Sequence, residues 1–195
     1  MQNKGLTLVG SHPSPFVRSL RIFMHEKVPF EFKPLDYLTP EDGAYLAKLN
    51  PINKIPVLIH DGKVVYESRV IYQYLKKEFL IYETLTLEEE NLLSVIYGAM
   101  DTTINLFMLR RFGNDIQADN NYYHRNFSRI KSTLAYITSE LHRLSNWKFP
   151  AILLYSYLDW ANIREMIKLD ELPELKKFHQ HWQELASVQE TQIPK

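Results

Sequence analysis

Residues 50–68, NPINKIPVLIHDGKVVYES, decide the fold because they combine a hairpin signal with two candidate binding features. Asp61-Gly62 lies between two short apolar runs, and an Asp-Gly pair in that setting predicts a β-hairpin with a two-residue turn. An isoleucine–proline pair comes just before the first of these strands. A glutamate–serine pair comes just after the second, where a helix is expected to begin.

The Ile55-Pro56 pair predicts an extended backbone beside which a peptide-like ligand could lie. An X-Pro bond adopts the cis form far more readily than any other peptide bond, and proline keeps the preceding residue extended. Such a turn would leave the N–H and C=O of Ile55 pointing away from the sheet, available to an added strand. The alternative is that Pro56 only ends a loop.

The Glu67-Ser68 pair predicts a site for a ligand head that carries both charges. Ser68 is expected to be the N-cap of a helix, where free N–H groups and the helix dipole favour a carboxylate. Glu67, one residue earlier, could hold an ammonium group. Ser68 could also be a cap and nothing more, but the order and spacing of both pairs on one hairpin favour binding.

The composition limits the class of protein. The chain has 195 residues, of which 45% are hydrophobic, and its 23 basic and 23 acidic side chains give a formal net charge of zero. This allows a sizeable core in one large or two small domains, and it shows no basic stripe typical of nucleic-acid binding. Cysteine is absent, which excludes disulfides, thiolate metal sites and a cysteine nucleophile.

We expect a cytoplasmic protein that binds no metal, nucleic acid or membrane. The seven histidines form no persuasive cluster; His179 and His181 are two residues apart in a helical segment and point to different faces. No long apolar run stands out as a membrane span, and the polar N-terminus does not resemble a signal peptide.

The hydrophobic pattern predicts the element order βαβαββα over the first 80 residues. A strand at 6–10 precedes a helix that starts at Ser14-Pro15, and a strand at 30–33 precedes a helix that starts at Thr39-Pro40. The hairpin and a third helix follow. Because a β-α-β unit implies parallel pairing, we expect a mixed four-stranded sheet flanked by helices. The third helix is expected to bury Val70, Ile71, Tyr74 and Leu75.

After residue 79 the strand signals disappear and the chain reads as helices. We therefore expect an α/β domain at residues 1–79 and an all-helical domain at 84–195. Helices are expected at 87–112 and 122–144, and the pattern Ser156-x-x-Asp159 predicts a further helix start by reciprocal capping.

Ser14 lies at the carboxyl end of the first strand, the position where ligands of α/β folds gather. No base is securely placed beside it, so a nucleophilic serine is not favoured. A free thiol has a pKa of about 8.5, which a helix N-terminus lowers. A thiol ligand next to Ser14 could therefore ionise near neutral pH; the alternative is that Ser14 only caps its helix.

Taken together, these motifs resemble the cytosolic-type glutathione transferase superfamily, in particular bacterial members with an omega- or zeta-like active-site segment. The matching segments are Ser14-Pro15-Phe16-Val17-Arg18, Asn50-Pro51, Lys54-Ile55-Pro56-Val57-Leu58, Glu67-Ser68 with Ile71 and Tyr74-Leu75, and Ser156 with Asp159. Serine replaces the omega-class cysteine at position 14, which argues against chemistry that needs a protein thiol. Two further departures are a linker without proline at 79–87 and no glycine before Ser156.

The resemblance implies a thioredoxin-like domain, a helical domain, and glutathione (γ-Glu-Cys-Gly) as co-substrate. It implies that Ser14 is the catalytic residue facing the sulfur. The glutathione-binding residues that it implies are Phe16 at the thiol, Lys54 at the glycine carboxylate, Ile55 with cis Pro56 at the cysteinyl backbone, and Glu67 and Ser68 at the γ-glutamyl head.

The function implied by the resemblance is attack of the glutathione thiolate on a small electrophile, by a homodimer. The rival is a non-enzymatic binding or regulatory protein of the stringent-starvation type. Such proteins tend to lose glutathione-site residues, whereas Lys54, Glu67 and Ser68 are present here. Isomerase or dehalogenase chemistry with glutathione is a third possibility.

Overall fold

The computed structural model describes residues 5–25, 27–36 and 38–193, and the chain divides into two compact units. The first unit holds the chain up to Glu83 and again from Trp182 onward, and the second holds Thr84–His181. The end of the chain is thus grouped with the first unit. The domain bounds 1–79 and 84–195 stay a prediction, and their outermost residues, 1–4 and 194–195, lie outside the described residues.

The first unit is built on a mixed four-stranded sheet, which confirms the predicted fold class. Its strands are β1 (Leu6–Gly10), β2 (Glu31–Pro34), β3 (Val57–His60) and β4 (Lys63–Tyr66), in the spatial order β2-β1-β3-β4. β1 pairs parallel with β2 and antiparallel with β3, and β3 pairs antiparallel with β4. The hairpin turn is confirmed, since Asp61 and Gly62 both have positive φ, at 48° and 78°, as a type I′ turn requires.

Three helices flank the sheet: α1 (Pro15–His25), α2 (Pro40–Leu49) and α3 (Ser68–Glu78). Proline at the first position starts α1 and α2, and the Thr39 hydroxyl caps α2 by accepting from the Asp42 N–H at 3.3 Å. α1 packs so closely on β1 that a Cβ on Gly10 would lie 2.4 Å from Cγ2 of Val17. Only glycine fits at that contact, which fixes where α1 begins relative to the strand.

The buried face of α3 differs from the prediction at two positions. Ile71 and Leu75 are buried as expected, but Val70 is 50% exposed and Tyr74 is only half-buried, while Tyr72 is buried instead. Tyr72 packs edge-on against Phe23 with ring centroids 5.2 Å apart, and its hydroxyl donates to Glu83 Oε1 at 2.6 Å. A buried tyrosine is stable here because its hydroxyl has this acceptor.

The second unit contains α4 (Leu87–Arg111), α5 (Asn121–Ser139), α6 (Phe149–Ile163) and α7 (Pro173–Trp182), of which the last residue belongs to the first unit. Short 3-10 turns lie at Leu141–Leu144 and Leu169–Glu171, and α8 (Ala186–Gln189) returns to the first unit. The predicted helices at 87–112 and 122–144 are present, although α5 ends earlier, at Ser139. α4 begins with a capping box in which Thr86 and Glu89 exchange hydrogen bonds at 2.8 and 3.2 Å.

The predicted helix start at Ser156 is wrong. Ser156 lies fully buried inside α6, and its hydroxyl donates to the Ile152 carbonyl one turn earlier at 2.9 Å. Asp159 instead pairs with Nε2 of His179 at 2.8 Å. The helix starts earlier, at Phe149, because Pro150 suits a first turn and the apolar residues after it continue the buried helix.

α4 contains an 18-residue window of mean hydropathy 1.4, long and apolar enough to cross a membrane by length and composition. This differs from the expectation, from the sequence, of no long apolar run. However, 44% of the window is buried in the structure, and the core helix of a soluble protein meets the same criteria. The finding is therefore weak evidence for a membrane span.

Candidate functional site

The pairing register brings three chain segments to one end of the sheet. Val57, the first residue of β3, lies opposite Val9 of β1 on one side and Tyr66 of β4 on the other. The chain therefore leaves β1, enters β3 and leaves β4 at neighbouring points. We call this the loop end of the sheet, made of residues 11–14, 50–56 and 67–68, and we call the opposite end, at the turn Asp61-Gly62, the hairpin end.

Two helices begin at the loop end. α1 follows β1 through residues 11–14, and α3 follows β4 directly. The first N–H groups of a helix have no partner within the helix, and the helix dipole places partial positive charge there. Two such N-termini make the loop end a favourable place for an anion.

Ser14 caps α1, as the sequence predicted. Its Oγ accepts a long hydrogen bond from the Val17 N–H at 3.4 Å, and its carbonyl accepts from the Arg18 N–H at 2.9 Å. A hydroxyl that accepts through a lone pair keeps its proton free to donate. Ser14 and Phe16 are both half-buried, so a ligand at the helix start can reach them.

Asn50 holds the segment before β3 in place, a role that the sequence analysis missed. Its side chain is buried, donates to the Lys54 carbonyl at 2.7 Å and accepts from the Ile52 N–H at 2.9 Å. An asparagine followed by proline was the available signal, because Asn side chains often bond the backbone of a turn. This loop presents an exposed Lys54 and a partly buried Ile55.

The Ile55–Pro56 peptide bond is cis, as the resemblance implied. Pro56 is buried, and the strand register begins only at Val57, so Ile55 lies just before the paired part of the sheet. Ile55 packs against a small core at this end, formed by Val9, Leu35, Leu46 and Val57.

The N-cap of α3 is Glu67, which corrects the assignment of Ser68 to that position. Ser68 is the first helical residue and is 5% exposed, whereas the Glu67 side chain is exposed and makes no capping hydrogen bond. The reason is that β4 ends at Tyr66 and α3 begins at Ser68, so the backbone must turn from the strand into the helix at Glu67 alone. Glu67 accordingly has φ 69° and ψ 121°. Such a conformation costs a non-glycine residue on the order of 1–3 kcal/mol and is found mainly at functional sites.

The structure thus brings all seven predicted site residues to the loop end or to the first turn of its helices. The backbone at Ile55 and the starts of α1 and α3 form its frame, and Lys54 and Glu67 supply exposed charges of opposite sign. In the described part of the chain, no group of three or more His, Asp or Glu side chains could hold a metal ion.

The segment that contains these site residues also matches a known protein family. Residues 4–77 match the family model described as "Glutathione S-transferase, N-terminal domain". Glutathione S-transferase U3 of Arabidopsis thaliana is 38% identical over 76 residues, which are 38% of this chain and 33% of that protein. The uncharacterized GST-like protein YibF of Escherichia coli (strain K12) is 40% identical over 74 residues, covering 36% and 35% of the two chains.

Among solved structures, a glutathione S-transferase from Methylobacillus flagellatus KT with GSH bound has a TM-score of 0.84. It is 22% identical, and the match covers 97% of this chain and 100% of that one. The chain spans about a third of the length of the curated relatives that it matches, and the structural match shows a shared fold. Residues 4–77 are therefore similar to the N-terminal domain of glutathione S-transferases. The omega- or zeta-like classification stays a prediction.

Proposed function

We propose that this chain binds glutathione at the loop end and stabilises its thiolate for attack on a small electrophile. The observation that supports this most is the register that sets the start of β3 beside the ends of β1 and β4. The segment that contains all three is also the one that matches the family model.

Each part of glutathione has a complementary group in this proposal. The cysteinyl backbone lies along Ile55 as an added strand, which needs an extended segment outside the ladder. The exposed Glu67 carboxylate takes the γ-glutamyl ammonium, and Ser68 with the first N–H groups of α3 takes the adjacent carboxylate. Lys54 takes the glycine carboxylate.

Ser14 and the start of α1 act on the sulfur. The Ser14 hydroxyl donates to the sulfur while its lone pair accepts from the Val17 N–H, and Phe16 lines the thiol. Both the hydroxyl and the helix N-terminus favour the thiolate, so the thiol pKa falls below its ordinary value of about 8.5. With an aryl halide, the thiol proton leaves to solvent, a C–S bond forms, and halide departs with the C–X electron pair.

Isothermal titration calorimetry with glutathione tests the binding claim. Wild type is expected to bind, and Ser68→Ala to bind about tenfold more weakly, since a hydrogen bond to a charged group contributes about 1.5 kcal/mol or more. Ser132→Ala is the matched control, because Ser132 is an exposed serine of α5 that donates to the carbonyl of Arg129 in its own helix. Absence of binding by wild type would contradict the proposal.

Turnover is tested separately, on aryl halides, epoxides and peroxides, with Ser14→Ala as the variant. Conjugation that wild type accelerates and Ser14→Ala does not supports the enzyme. Binding without acceleration of any of these electrophiles supports the non-enzymatic rival.

Homodimer formation and a cytoplasmic location belong to the same proposal. The first unit exposes several apolar side chains that a partner copy could cover, namely Ile52, Val64 and Val70. Light scattering at micromolar concentration distinguishes a dimer from a monomer of 23.1 kDa.

A further inference from the structure

The turn between β1 and α1 is held by side chains that the proposed glutathione contacts do not use. The Ser14 N–H donates to the Ser11 carbonyl at 3.2 Å, which closes a four-residue turn with His12 and Pro13 at its centre. This bond and the 3.4 Å cap between Ser14 Oγ and the Val17 N–H are both long. The Arg18 N–H holds the Ser14 carbonyl at 2.9 Å, but the two long bonds leave the turn before it and the hydroxyl open to a further tether.

His12 supplies that tether. Its Nδ1 lies 3.3 Å from a terminal guanidinium nitrogen of Arg21, two turns along α1. Its ring meets the ring of Phe32 on β2 edge-on, with centroids 5.0 Å apart. Arg21 in turn lies over the same Phe32 ring at 4.4 Å, and its other terminal nitrogen donates to the Glu190 carbonyl at 3.5 Å. The turn, the strand and the helix thus share one cluster: His12, Arg21 and Phe32.

The pairing with Arg21 determines the tautomer and the charge of His12. A guanidinium group only donates hydrogen bonds, so Nδ1 of His12 must accept and the ring proton lies on Nε2. Burial of His12, and secondly the nearby charge of Arg21, lower the pKa of His12 below its ordinary value of 6.5. The ring therefore stays neutral at physiological pH, and the contact with Arg21 persists.

We propose that His12, held by Arg21 and Phe32, is a positioning residue that fixes the 11–14 turn and thereby the Ser14 hydroxyl at the proposed thiolate site. This inference rests on the proposed function. It predicts that a change at His12 alters ionisation of the bound thiol more than it alters affinity for glutathione in its neutral thiol form. Affinity depends mainly on Ile55, Glu67 and Ser68, which lie on other segments.

The test compares His12→Leu with His12→Asn. Leucine removes the acceptor, whereas asparagine keeps an oxygen acceptor where Nδ1 stood. The pKa of glutathione bound to each protein is measured from the pH dependence of thiolate ultraviolet absorbance. In His12→Leu it is expected to rise by about 0.5 to 1 unit, which lowers the thiolate fraction below the pKa about three- to tenfold. His12→Asn is expected to stay near wild type. Kd measured well below the bound thiol pKa, where glutathione binds as the neutral thiol, is expected to change by less than about twofold in both variants.

Two further variants control for general destabilisation. Arg21→Lys keeps a charge but loses the planar fork that reaches His12 and the Glu190 carbonyl together, so it is expected to shift the thiol pKa in the same direction as His12→Leu. His25→Ala removes another α1 side chain that contacts Glu190, by a 2.8 Å pair, without touching the turn, and should leave the thiol pKa unchanged. Urea midpoints are measured for all four variants.

An unchanged thiol pKa in His12→Leu overturns the inference, and so does an equal shift in His12→Asn. A loss of affinity of the same size at a pH well below the bound thiol pKa also overturns it, because weaker binding of the neutral thiol indicates general damage to the site. These outcomes differ from failure of the proposed function, in which wild type itself does not bind glutathione or does not lower its thiol pKa.

Discussion

The two ends of the sheet in the first unit differ in how the chain connects the strands. At the hairpin end, β3 and β4 are joined by two residues, and His60 hydrogen-bonds the Tyr74 hydroxyl through Nδ1 at 2.8 Å. The ring of Phe79 covers His60, with centroids 5.3 Å apart. At the loop end, three segments meet, two helices begin, and Glu67 holds an unfavourable backbone conformation.

This difference suggests that the hairpin end serves stability, whereas the loop end is suited to binding. At the hairpin end His60 and Tyr74 bond each other, and Lys76 and Lys77 in the last turn of α3 complement the negative end of its dipole. The loop end instead presents helix N-termini and exposed charges to a ligand. Substitutions at the loop end should therefore change binding, whereas those at the hairpin end should change stability alone.

The largest expected effect is the loss of glutathione affinity in Glu67→Gln. Removing the carboxylate leaves the proposed ammonium partner without a counter-charge, so Kd should rise about 10- to 100-fold in calorimetry. Lys63→Gln, which removes an exposed charge of β4 at the hairpin end, is the matched control and should leave Kd unchanged. Equal effects of the two substitutions would contradict the assignment of binding to the loop end.

Gly10→Ala tests the close approach of β1 and α1. Its Cβ would meet Val17 at 2.4 Å, so urea denaturation should show a loss of about 1–3 kcal/mol in the free energy of unfolding. Gly98→Ala, inside α4 with nothing within 4 Å of the added carbon, should instead stabilise by up to about 1 kcal/mol. If Gly10→Ala is as stable as wild type, α1 does not start where the structure places it.

Glu67→Gly should move stability and binding in opposite directions. Glycine adopts positive φ without strain, so the unfolding free energy should rise by about 1 kcal/mol, while glutathione affinity falls as in Glu67→Gln. Thermal melts and calorimetry on the same preparation give both values. A destabilised Glu67→Gly would show that the backbone strain at this helix start is smaller than the entropy cost of glycine, and would contradict this prediction.

Tyr74→Phe should have the smallest effect and only on stability. Loss of the hydrogen bond to His60 is expected to cost about 0.5–1 kcal/mol at neutral pH, with glutathione Kd unchanged. Burial, and then the charges of Glu78 and Asp61, raise the pKa of Tyr74 above its ordinary value of 10.0. A raised folded-state pKa contributes stability below pH 10 that is lost at higher pH, so the difference between wild type and Tyr74→Phe should shrink there. A difference that grows above pH 10 would contradict this.

Local signals predicted the first unit well because its elements are defined by turn and cap chemistry. Asp61-Gly62, Thr39-Pro40 and Ser14-Pro15 each act on the backbone beside them, so the hairpin and the starts of α2 and α1 follow from a few residues. The chemistry expected of Ile55, Glu67-Ser68 and Ser14 followed from the residues, whereas the roles of Phe16 and Lys54 depended on the resemblance, and all of these roles are proposals here.

Predictions that depended on long-range packing were less reliable. Ser156 and Asp159 have the spacing of a capping box, but burial of the surrounding residues continues α6 through them, and Asp159 finds its partner 20 residues later at His179. Tyr72 was missed on the buried face of α3 because its acceptor, Glu83, lies beyond the helix. Asn50 was read as part of a motif, although its side chain shapes the loop before β3.

Titration of the bound glutathione thiol tests the central claim most directly. Ultraviolet absorbance of the thiolate is followed against pH for glutathione bound to wild type and to Ser14→Ala. We predict a thiol pKa well below the free value of about 8.5 in wild type, and a value closer to the free one in Ser14→Ala. A bound thiol that titrates like free glutathione in wild type, or an identical low pKa in both proteins, would contradict the role given to Ser14 and the loop end.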